Sequence, residues 1–389
     1  MKVASVRQRW RMSVDARALV LVVAVLQAFG LAVLYSASVM LSMQEGHGSA
    51  FYLLRQLSGV AASLVLFAIA AKVDAERWRR WAWPIMLVCL LLMLFIVLPF
   101  TQDIAPRING SRRWIRLGVT FQASEFAKLA VVIWTAMLII KKGDGLRRLT
   151  KGLLPFLLVI GILDLLAILE PDLSMAMMFT LLMGVVLFAG GVRIGHFVVI
   201  SMLAIPFLWH EIESRQYALL RMTSFLDPGA APREAGHQLM QSLIAVGSGG
   251  ALGVGYGQGR QQSGFLPYPY SDFIGSNVGE EWGFAGMLVL VALFATYGFL
   301  GFRIARQARS PFLTLVAIGF TATTVITAFL HIGVVTGLLP TTGLTLPFFS
   351  YGRSNLLVSW LMTGILVNIG SGRERVFGEG ATDPLLNSA

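Results

Sequence analysis

The charged residues best suited to chemistry lie in one polar segment between two hydrophobic stretches. Residues 211–281 surround a glycine-rich core and end in a run of prolines and tyrosines before Asp272. A carboxylate can accept a proton as a general base, and guanidinium groups can bind an anion. For Asp272 alone, the alternative is a turn or helix-capping aspartate after Ser271. The charged residues of this segment are Arg215, Arg221, Asp227, Arg233, Glu234, Asp272, Glu280 and Glu281.

A second polar segment, residues 101–123, carries four arginines within ten positions of one another. Arginine forks match phosphate geometry, so this cluster predicts an anion-binding surface. The alternative is that these side chains pair with lipid headgroups or with acidic residues of the same loop. The four residues are Arg107, Arg112, Arg113 and Arg116.

Several ionisable residues fall inside or beside hydrophobic stretches, where burial of a charge costs about 2.5–3.5 kcal/mol. Glu125 and Lys128 are three positions apart, so on a helix they share a face and can pair. Either the pair is structural, or Glu125 orients Lys128 toward an anionic ligand. Solvation could explain Glu170 and Asp172, and His331 is expected to be a core histidine. The full set is Arg55, Glu125, Lys128, Asp164, Glu170, Asp172 and His331.

The composition is that of an integral membrane protein. Hydrophobic residues make up 56% of the chain and charged residues 13%, against about 25% charged in soluble domains. The apolar residues form blocks of about 17–25, long enough to cross the membrane as α-helices. No alternating pattern indicates a barrel, so the fold class is all-α, a polytopic helical bundle.

Charge and cysteine content exclude two other classes. The net charge is +11, but the basic residues form short clusters between the hydrophobic blocks, so we expect no nucleic-acid partner. The single cysteine, Cys89, lies within a hydrophobic block and cannot form an intrachain disulfide.

Ten blocks fit membrane spans, and an even number places both termini on one side. Basic clusters follow the second, fourth, eighth and tenth blocks, and the positive-inside rule makes that side cytoplasmic. We expect a cytoplasmic tail at 1–16, a ten-helix domain at 17–371, an outward loop at 211–281 and a disordered cytoplasmic tail at 372–389. The blocks are 17–41, 51–72, 81–100, 124–141, 153–169, 173–191, 194–210, 282–304, 312–338 and 354–371.

Two features of the outward loop have a structural interpretation. Residues 238–246 have apolar side chains at helical spacing, which predicts an amphipathic helix on or in the membrane. The glycines at 247–259 lack the spacing of a nucleotide-binding loop. We expect them to permit unusual backbone angles and close approach of a substrate or helix.

A set of colinear motifs is spread along nearly the whole chain. They lie at 109–115, 122–128, 170–173, 241–250, 265–274, 280–284 and 337–351. In these motifs the sequence resembles the SEDS (shape, elongation, division and sporulation) glycosyltransferases of the bacterial cell wall. It is more similar to the division members (FtsW) than to the elongation members (RodA), because of residues 259–262 and 343–347.

The resemblance implies an enzyme of the bacterial cytoplasmic membrane that polymerises lipid II, an undecaprenyl-pyrophosphate-linked disaccharide peptide. The 4-hydroxyl of one disaccharide attacks the anomeric carbon of another, and undecaprenyl pyrophosphate leaves. Asp272 matches the catalytic aspartate of the family and would act as the base. The residues implied in binding substrate or pyrophosphate are Arg55, Arg107, Arg112, Arg113, Arg116, Glu125, Lys128, Arg215, Arg221, Ser248 and Glu280.

The resemblance also implies a divalent cation, Mg or Mn, although the sequence has no recognisable metal-ligand spacing. A class B penicillin-binding protein is the implied partner, and it would supply the transpeptidase. The alternatives are a lipid II flippase, a scaffold of the division complex, or an elongation member.

The sequence departs from the usual family pattern at a few positions. Arg353 and Asn355 stand where glycine and serine are usual, His331 replaces asparagine, and Ala123 replaces proline. A more polar stretch also follows Ile274. These changes are expected to alter substrate fit or partner contacts without affecting Asp272.

Overall fold

The structure, a computed structural model, describes residues 7–107, 111–117, 119–147, 152–227 and 235–376. Within these ranges the chain is mostly helical, with four short strands. In chain order the helices are α1 (Val14–Gln44), α2 (Phe51–Lys72), α3 (Arg77–Val97), α4 (Ala123–Lys142), α5 (Leu154–Leu169), α6 (Leu173–Ala189), α7 (Ile194–Ser214), α8 (Gln216–Leu226), α9 (Ala235–Ser248), α10 (Ile274–Arg306), α11 (Pro311–Val335) and α12 (Arg353–Ile369).

The all-α prediction is confirmed, and each of the ten predicted spans coincides with a helix. In the described residues, six helices are long and apolar enough to cross a membrane: α1 to α4, α10 and α11. Helices α5 and α6 are shorter and apolar, and α7 and α12 complete the ten. Many leucines of α2, α3 and α5 are exposed, as expected for side chains that face lipid.

Helix α4 is the centre of the bundle and positions one side of the site. From Ala123 to Ile139 every residue except Phe126 is buried. The helix packs against α3, α6, α11 and α12. Small residues at its contact faces, such as Ala127 and Ala130, allow this close packing. The charges near its first turn are therefore held in a rigid surrounding.

Helix α10 is broken near its start, and a glycine-rich segment, residues 250–255, packs into the break. Gly283 has φ 64° and ψ −160°, which only glycine adopts readily. The segment 250–255 binds the freed backbone: the N–H of Val254 donates to Glu280 O at 3.0 Å, and the N–H of Phe284 donates to Gly250 O at 2.9 Å. Irregular backbone is tolerated in a membrane bundle only when protein satisfies it in this way.

This contact predicts a large loss of stability for Gly253→Ala. Gly253 has φ +85°, and a Cβ there would lie 2.1 Å from the carbonyl oxygen of Glu281. Gly247 in α9 is the matched control, because a Cβ there meets nothing within 4 Å and alanine favours a helix by about 1 kcal/mol. In a thermal melt of purified protein we expect Gly253→Ala to lower the midpoint by several degrees. An unchanged midpoint would contradict the packing described.

The predicted amphipathic helix is confirmed as α9, which packs against α10 and α11. Its buried face includes Leu239, Ser242 and Ala245, whereas Leu243 and Ile244 are exposed. The Ser242 hydroxyl donates to Val335 O at 2.8 Å and contacts Ser276 at 2.7 Å. The helix is thus part of the bundle and presents leucine and isoleucine side chains to its surroundings.

The two chain ends pair, which corrects part of the sequence prediction. Strand β1 (Arg7–Met12) pairs antiparallel with β4 (Ser371–Val376). The prediction of a disordered tail from 372 is therefore wrong as far as Val376, because backbone hydrogen bonds to β1 order this segment. Residues 377–389 lie outside the described residues. The pairing is a tertiary contact between segments separated by the whole chain, which local composition does not reveal.

A second hairpin, β2 (Trp114–Leu117) and β3 (Val119–Gln122), lies at the other end of the bundle. Strand β3 leads directly into α4, and the N–H of Gln122 donates to Ser354 Oγ at the start of α12 at 2.9 Å. The hairpin, the α5–α6 turn, α8 and the segments before α10 and α12 meet at this end. Asn109 and Gly110, at the start of a family motif, lie outside the described residues.

Candidate active site

Asp272 lies in the last residues before α10 and is half-buried. Ser271 Oγ donates a hydrogen bond to Asp272 Oδ1 at 2.9 Å. Burial raises the pKa of this carboxyl, which the Ser271 hydrogen bond and the guanidiniums of Arg221 and Arg113 partly oppose. A carboxyl so placed can take up a proton at a higher pH than an ordinary aspartate.

The segment between α11 and α12 fixes the position of Asp272. Ser350 Oγ donates to Ser271 O at 2.7 Å, and the N–H of Tyr351 donates to Tyr270 O at 2.9 Å. His331 supports the same segment from within the bundle, with its Nδ1 2.9 Å from Leu344 O. The interpretation of His331 as a core histidine is thus confirmed.

Two of the residues that differ from the usual family pattern also have structural roles. Asn355 Nδ2 donates to Thr345 O at 3.3 Å and also contacts Thr345 Oγ1. The side-chain stem of Arg353 packs beside Gly59 of α2, whose Cβ would lie 2.9 Å from Arg353 Cγ. Asn355 therefore helps to hold the 343–351 segment, and Arg353 packs the start of α12 against α2.

Arg113 is the arginine of the hairpin that faces Asp272. A Cβ on Gly343 would lie 3.9 Å from both Arg113 Nη1 and Asp272 Oδ2, so both side chains point at the same glycine. Arg113 also forms an ion pair with Asp172 Oδ2 at 3.4 Å and donates to the carbonyls of Glu170 and Pro171. These contacts hold its guanidinium in a fixed orientation beside the carboxyl.

The α5–α6 turn contributes buried acids that the sequence interpretation treated as solvated. Glu170 is 1% exposed and Asp172 5% exposed, so solvation does not explain them. Burial and the neighbouring Asp172 raise the pKa of Glu170 well above its usual value, and Arg113 opposes this. Burial also raises the pKa of Asp172, against the charge of Arg113. Asp172 therefore serves as the anchor for Arg113.

A cavity of about 310 Å³ opens beside these residues. Arg113 just before β2, the α5–α6 turn, the end of α7, α8 and the segment 340–342 form its walls. Three arginine guanidiniums and two carboxylates line it, so positive charges outnumber negative ones. Each carboxylate forms an ion pair with one of the arginines. Its charge therefore suits an anion. The charged residues of the lining are Arg113, Asp172, Glu211, Arg215 and Arg221.

Glu125 and Lys128 form the buried ion pair that the sequence predicted. Lys128 Nζ lies 2.8 Å from Glu125 Oε2, and the two side chains are 3% and 5% exposed. Burial is the main cause of the raised pKa of Asp172, and Arg113 opposes it. Glu125 lies near enough to Asp172 to raise the pKa further. The pair therefore lies immediately behind the arginine and acid network.

The other arginines of the second polar segment have different surroundings. Arg112 donates to Ala105 O at 3.0 Å, to Leu98 O at 3.1 Å and to Thr101 Oγ1 at 2.9 Å. It therefore binds the turn before the hairpin, and its assignment to pyrophosphate stays a prediction. Arg107 and Arg116 are exposed and do not line the cavity.

Three further residues assigned to the substrate lie elsewhere. Arg55 is exposed on α2, with its guanidinium 4.6 Å from the ring centre of Phe51. Ser248 is exposed and donates to Ala245 O at 2.9 Å. Glu280 is buried and accepts the N–H groups of Arg260 at 2.7 Å and Gln261 at 3.2 Å. The structure thus gives Glu280 a structural role in anchoring the glycine-rich loop.

Sequence reasoning missed Asp172, Thr341, Thr342 and Gly343 as parts of the site. The family motifs at 170–173 and 337–351 contain all four, and this was the available signal. Asp172 lacked any local mark of burial because it follows Pro171, and both proline and aspartate are typical of exposed turns. Only the packing of the hairpin onto the turn reveals its role.

The ion pair gives a prediction that separates substrate binding from structure. Lys128→Met leaves Glu125 charged and buried without a partner, so we expect a loss of stability of about 3–5 kcal/mol. The double variant Glu125→Gln/Lys128→Met should recover most of it. If Lys128 also binds the lipid substrate, KM for lipid II in the double variant stays raised about tenfold. Recovery of both stability and KM would show a purely structural pair.

The fold and the site define a polytopic helical membrane protein with a half-buried acid and an arginine-lined cavity at one end. The family model for FtsW, RodA and SpoVE, described as cell cycle protein, matches residues 16–375. The chain belongs to this family.

Relatives and solved structures agree with this membership. A probable peptidoglycan glycosyltransferase FtsW of Trichlorobacter lovleyi is 38% identical, over 94% of this chain and 96% of its own length. Stage V sporulation protein E of Bacillus subtilis is 35% identical, over 90% and 95%.

Two solved structures share the fold at 26% identity. One comes from work on the coordination of polymerization and crosslinking by a peptidoglycan synthase complex, and covers 91% of this chain and 97% of its own, with a TM-score of 0.75. The other is the rod shape determining protein RodA of Thermus thermophilus, which covers 91% and 95% with a TM-score of 0.66.

Proposed function

We propose that this chain is a peptidoglycan glycosyltransferase that polymerises lipid II in the bacterial cytoplasmic membrane, in the division branch of its family. One observation carries the proposal: Asp272, a half-buried acid with a raised pKa, and Arg113 face the same glycine beside an arginine-lined cavity. The family relatives named as peptidoglycan glycosyltransferases support it.

In this mechanism Asp272 accepts the proton of the 4-hydroxyl of one disaccharide as the oxygen attacks the anomeric carbon of a second. The new glycosidic C–O bond forms as the bond from the anomeric carbon to pyrophosphate breaks. Negative charge then grows on the departing pyrophosphate, and fixed positive charges nearby stabilise it. Arg113 and Arg221 lie near both Asp272 and the cavity, and Arg215 lines the cavity. Lys128, in its ion pair with Glu125, adds a further positive charge.

The divalent cation implied by the family resemblance stays a prediction. Within the described residues, no three histidine, cysteine, aspartate or glutamate side chains are grouped as its ligands. Asp172 is also paired with Arg113. The arginines and lysine therefore supply the positive charge in this mechanism.

We propose that the site faces the outside of the cell and that both termini are cytoplasmic. The end of the bundle opposite the site carries the basic clusters near Arg77, Lys141 and Arg303, as the positive-inside rule requires. A class B penicillin-binding protein is the proposed partner. The structural neighbour from the peptidoglycan synthase complex, in which polymerization and crosslinking are coordinated, supports such a pairing.

Purified protein incubated with labelled lipid II tests the proposal, with and without the proposed partner. Glycan strands resolved on a gel are the expected product. Labelled lipid II that crosses the bilayer of proteoliposomes without forming polymer would favour the flippase alternative. If substitution of each residue of the site leaves polymer formation unchanged, the result would favour the alternative that the protein is a scaffold of the division complex.

A further inference from the structure

Four tyrosines form a partly exposed cluster beside Asp272 that the mechanism does not use. We call Tyr52, Tyr268, Tyr270 and Tyr351 the tyrosine platform. The ring centres of Tyr52 and Tyr270 lie 5.0 Å apart, those of Tyr52 and Tyr351 5.2 Å, and those of Tyr270 and Tyr351 5.8 Å. Tyr268 adjoins Tyr270 and is 42% exposed.

Tyr268 is held in a conformation that a bulky residue rarely adopts. Its φ is +53°, which costs of order 1–3 kcal/mol for a non-glycine residue and persists only where the surroundings enforce it. The N–H of Ser271 donates to Tyr268 O at 3.1 Å, which closes a turn ending one residue before Asp272. Asn277 Nδ2 fixes the same turn by donating to Pro269 O at 2.7 Å.

The chemistry of the platform differs from that of the cavity. None of its tyrosines lines the arginine-rich cavity. Tyr268 offers an exposed ring and Tyr270 and Tyr351 are partly exposed, whereas Tyr52 is buried and its hydroxyl donates a hydrogen bond to Glu45 Oε2 at 2.7 Å. Pyranose rings present C–H groups on their faces and hydroxyls at their edges, and so match an aromatic surface with polar groups at its rim. A neutral sugar suits this surface, and a pyrophosphate suits the cavity.

We propose that the tyrosine platform is a saccharide-binding site that holds the glycan strand next to Asp272, with the exposed ring of Tyr268 stacked on a sugar. This inference rests on the proposed function, because that function supplies the strand. The platform retains the strand between successive additions, so that chains grow longer before release.

Binding of a lipid-free glycan oligosaccharide, made of the repeating disaccharide, tests the proposal without catalysis. We expect Tyr268→Ala to weaken binding to the full-length purified protein about fivefold to tenfold, whereas Tyr268→Phe keeps the ring and binds nearly as the parent does. Tyr256→Ala is the matched control, because Tyr256 is 47% exposed and lies outside the platform. Tyr268→Gly removes the ring and the strain together, so weak binding by this stable variant excludes misfolding as the cause.

In polymerisation, Tyr268→Ala should shorten the glycan products while the initial rate stays near that of the parent. Equal oligosaccharide binding by the parent, Ala and Gly proteins would overturn the proposal, as would absence of binding by the parent. Failure of the proposed function has a different signature, since the parent would then make no glycan from lipid II whatever its affinity for the oligosaccharide.

Discussion

Asp272→Asn is expected to lower the initial rate of glycan synthesis from lipid II by about 10²–10⁴-fold, the usual contribution of a general base. Asparagine keeps the size of the side chain and can still accept the hydrogen bond from Ser271, but it cannot take up the proton. The measurement is the rate of polymer formation by purified protein on a gel. Full activity of this variant would remove Asp272 from the mechanism.

The pH dependence checks the same assignment. The pKa of Asp272 is raised by burial, so the activity of the parent should fall with decreasing pH at a midpoint above the ordinary value of about 3.9. The folded state binds this proton more tightly than the unfolded chain, so ionisation of the carboxyl reduces stability as pH rises above that ordinary value. The Asn variant should therefore melt no lower than the parent at pH 7, and its residual activity should lack the acidic limb.

Arg113→Ala is expected to lower kcat/KM for lipid II by about 10²–10³-fold, the usual effect of removing one oriented donor to a developing negative charge. It should also reduce stability by about 3–5 kcal/mol, because Asp172 would remain charged and buried without its partner. Arg113→Lys keeps the charge but loses the fork that reaches Asp172 and two carbonyls together, so it should restore only part of the activity. Activity assays and thermal melts measure the two effects separately.

Two further variants separate these two effects of the Arg113 substitution. Arg116→Ala is the matched control, because Arg116 is an exposed arginine only three residues after Arg113, and it should leave both measurements near the parent values. The double variant Arg113→Ala/Asp172→Asn removes the unpaired charge, so stability should return while activity stays low. Return of both would show that Arg113 serves only to hold the α5–α6 turn.

The sequence predicted the bundle well because a membrane imposes simple rules on it. Each long apolar block had to form a helix, and block lengths placed the helix ends within a few residues in most cases. The start of α10 is the largest difference: the block began at 282, whereas the helix begins at Ile274. Polar residues such as Asn277 and Glu280 hid its first turns, because their buried hydrogen bonds to Pro269 and to Arg260 and Gln261 form only in the tertiary structure.

The site was predicted in part. Asp272, Arg113, Arg215 and Arg221 meet at one end of the bundle, and the Glu125–Lys128 pair lies behind them. Arg112 and Glu280 instead bind backbone groups of nearby loops. Sequence spacing cannot distinguish an arginine that donates to backbone carbonyls from one that binds an anionic ligand, because both roles use the same side chain in the same loop.

The amino-acid sequence by itself determined that this chain is a helical membrane protein with ten apolar blocks, which polar segments leave the bundle, and which acid matches the catalytic position of a family. These properties follow from local hydropathy, charge asymmetry and motif identity. Only the tertiary structure decided which charges share a surrounding. It buried Asp172 against Arg113, brought Gly343 between Arg113 and Asp272, and set four tyrosines beside the same acid, because each contact joins segments far apart in the chain.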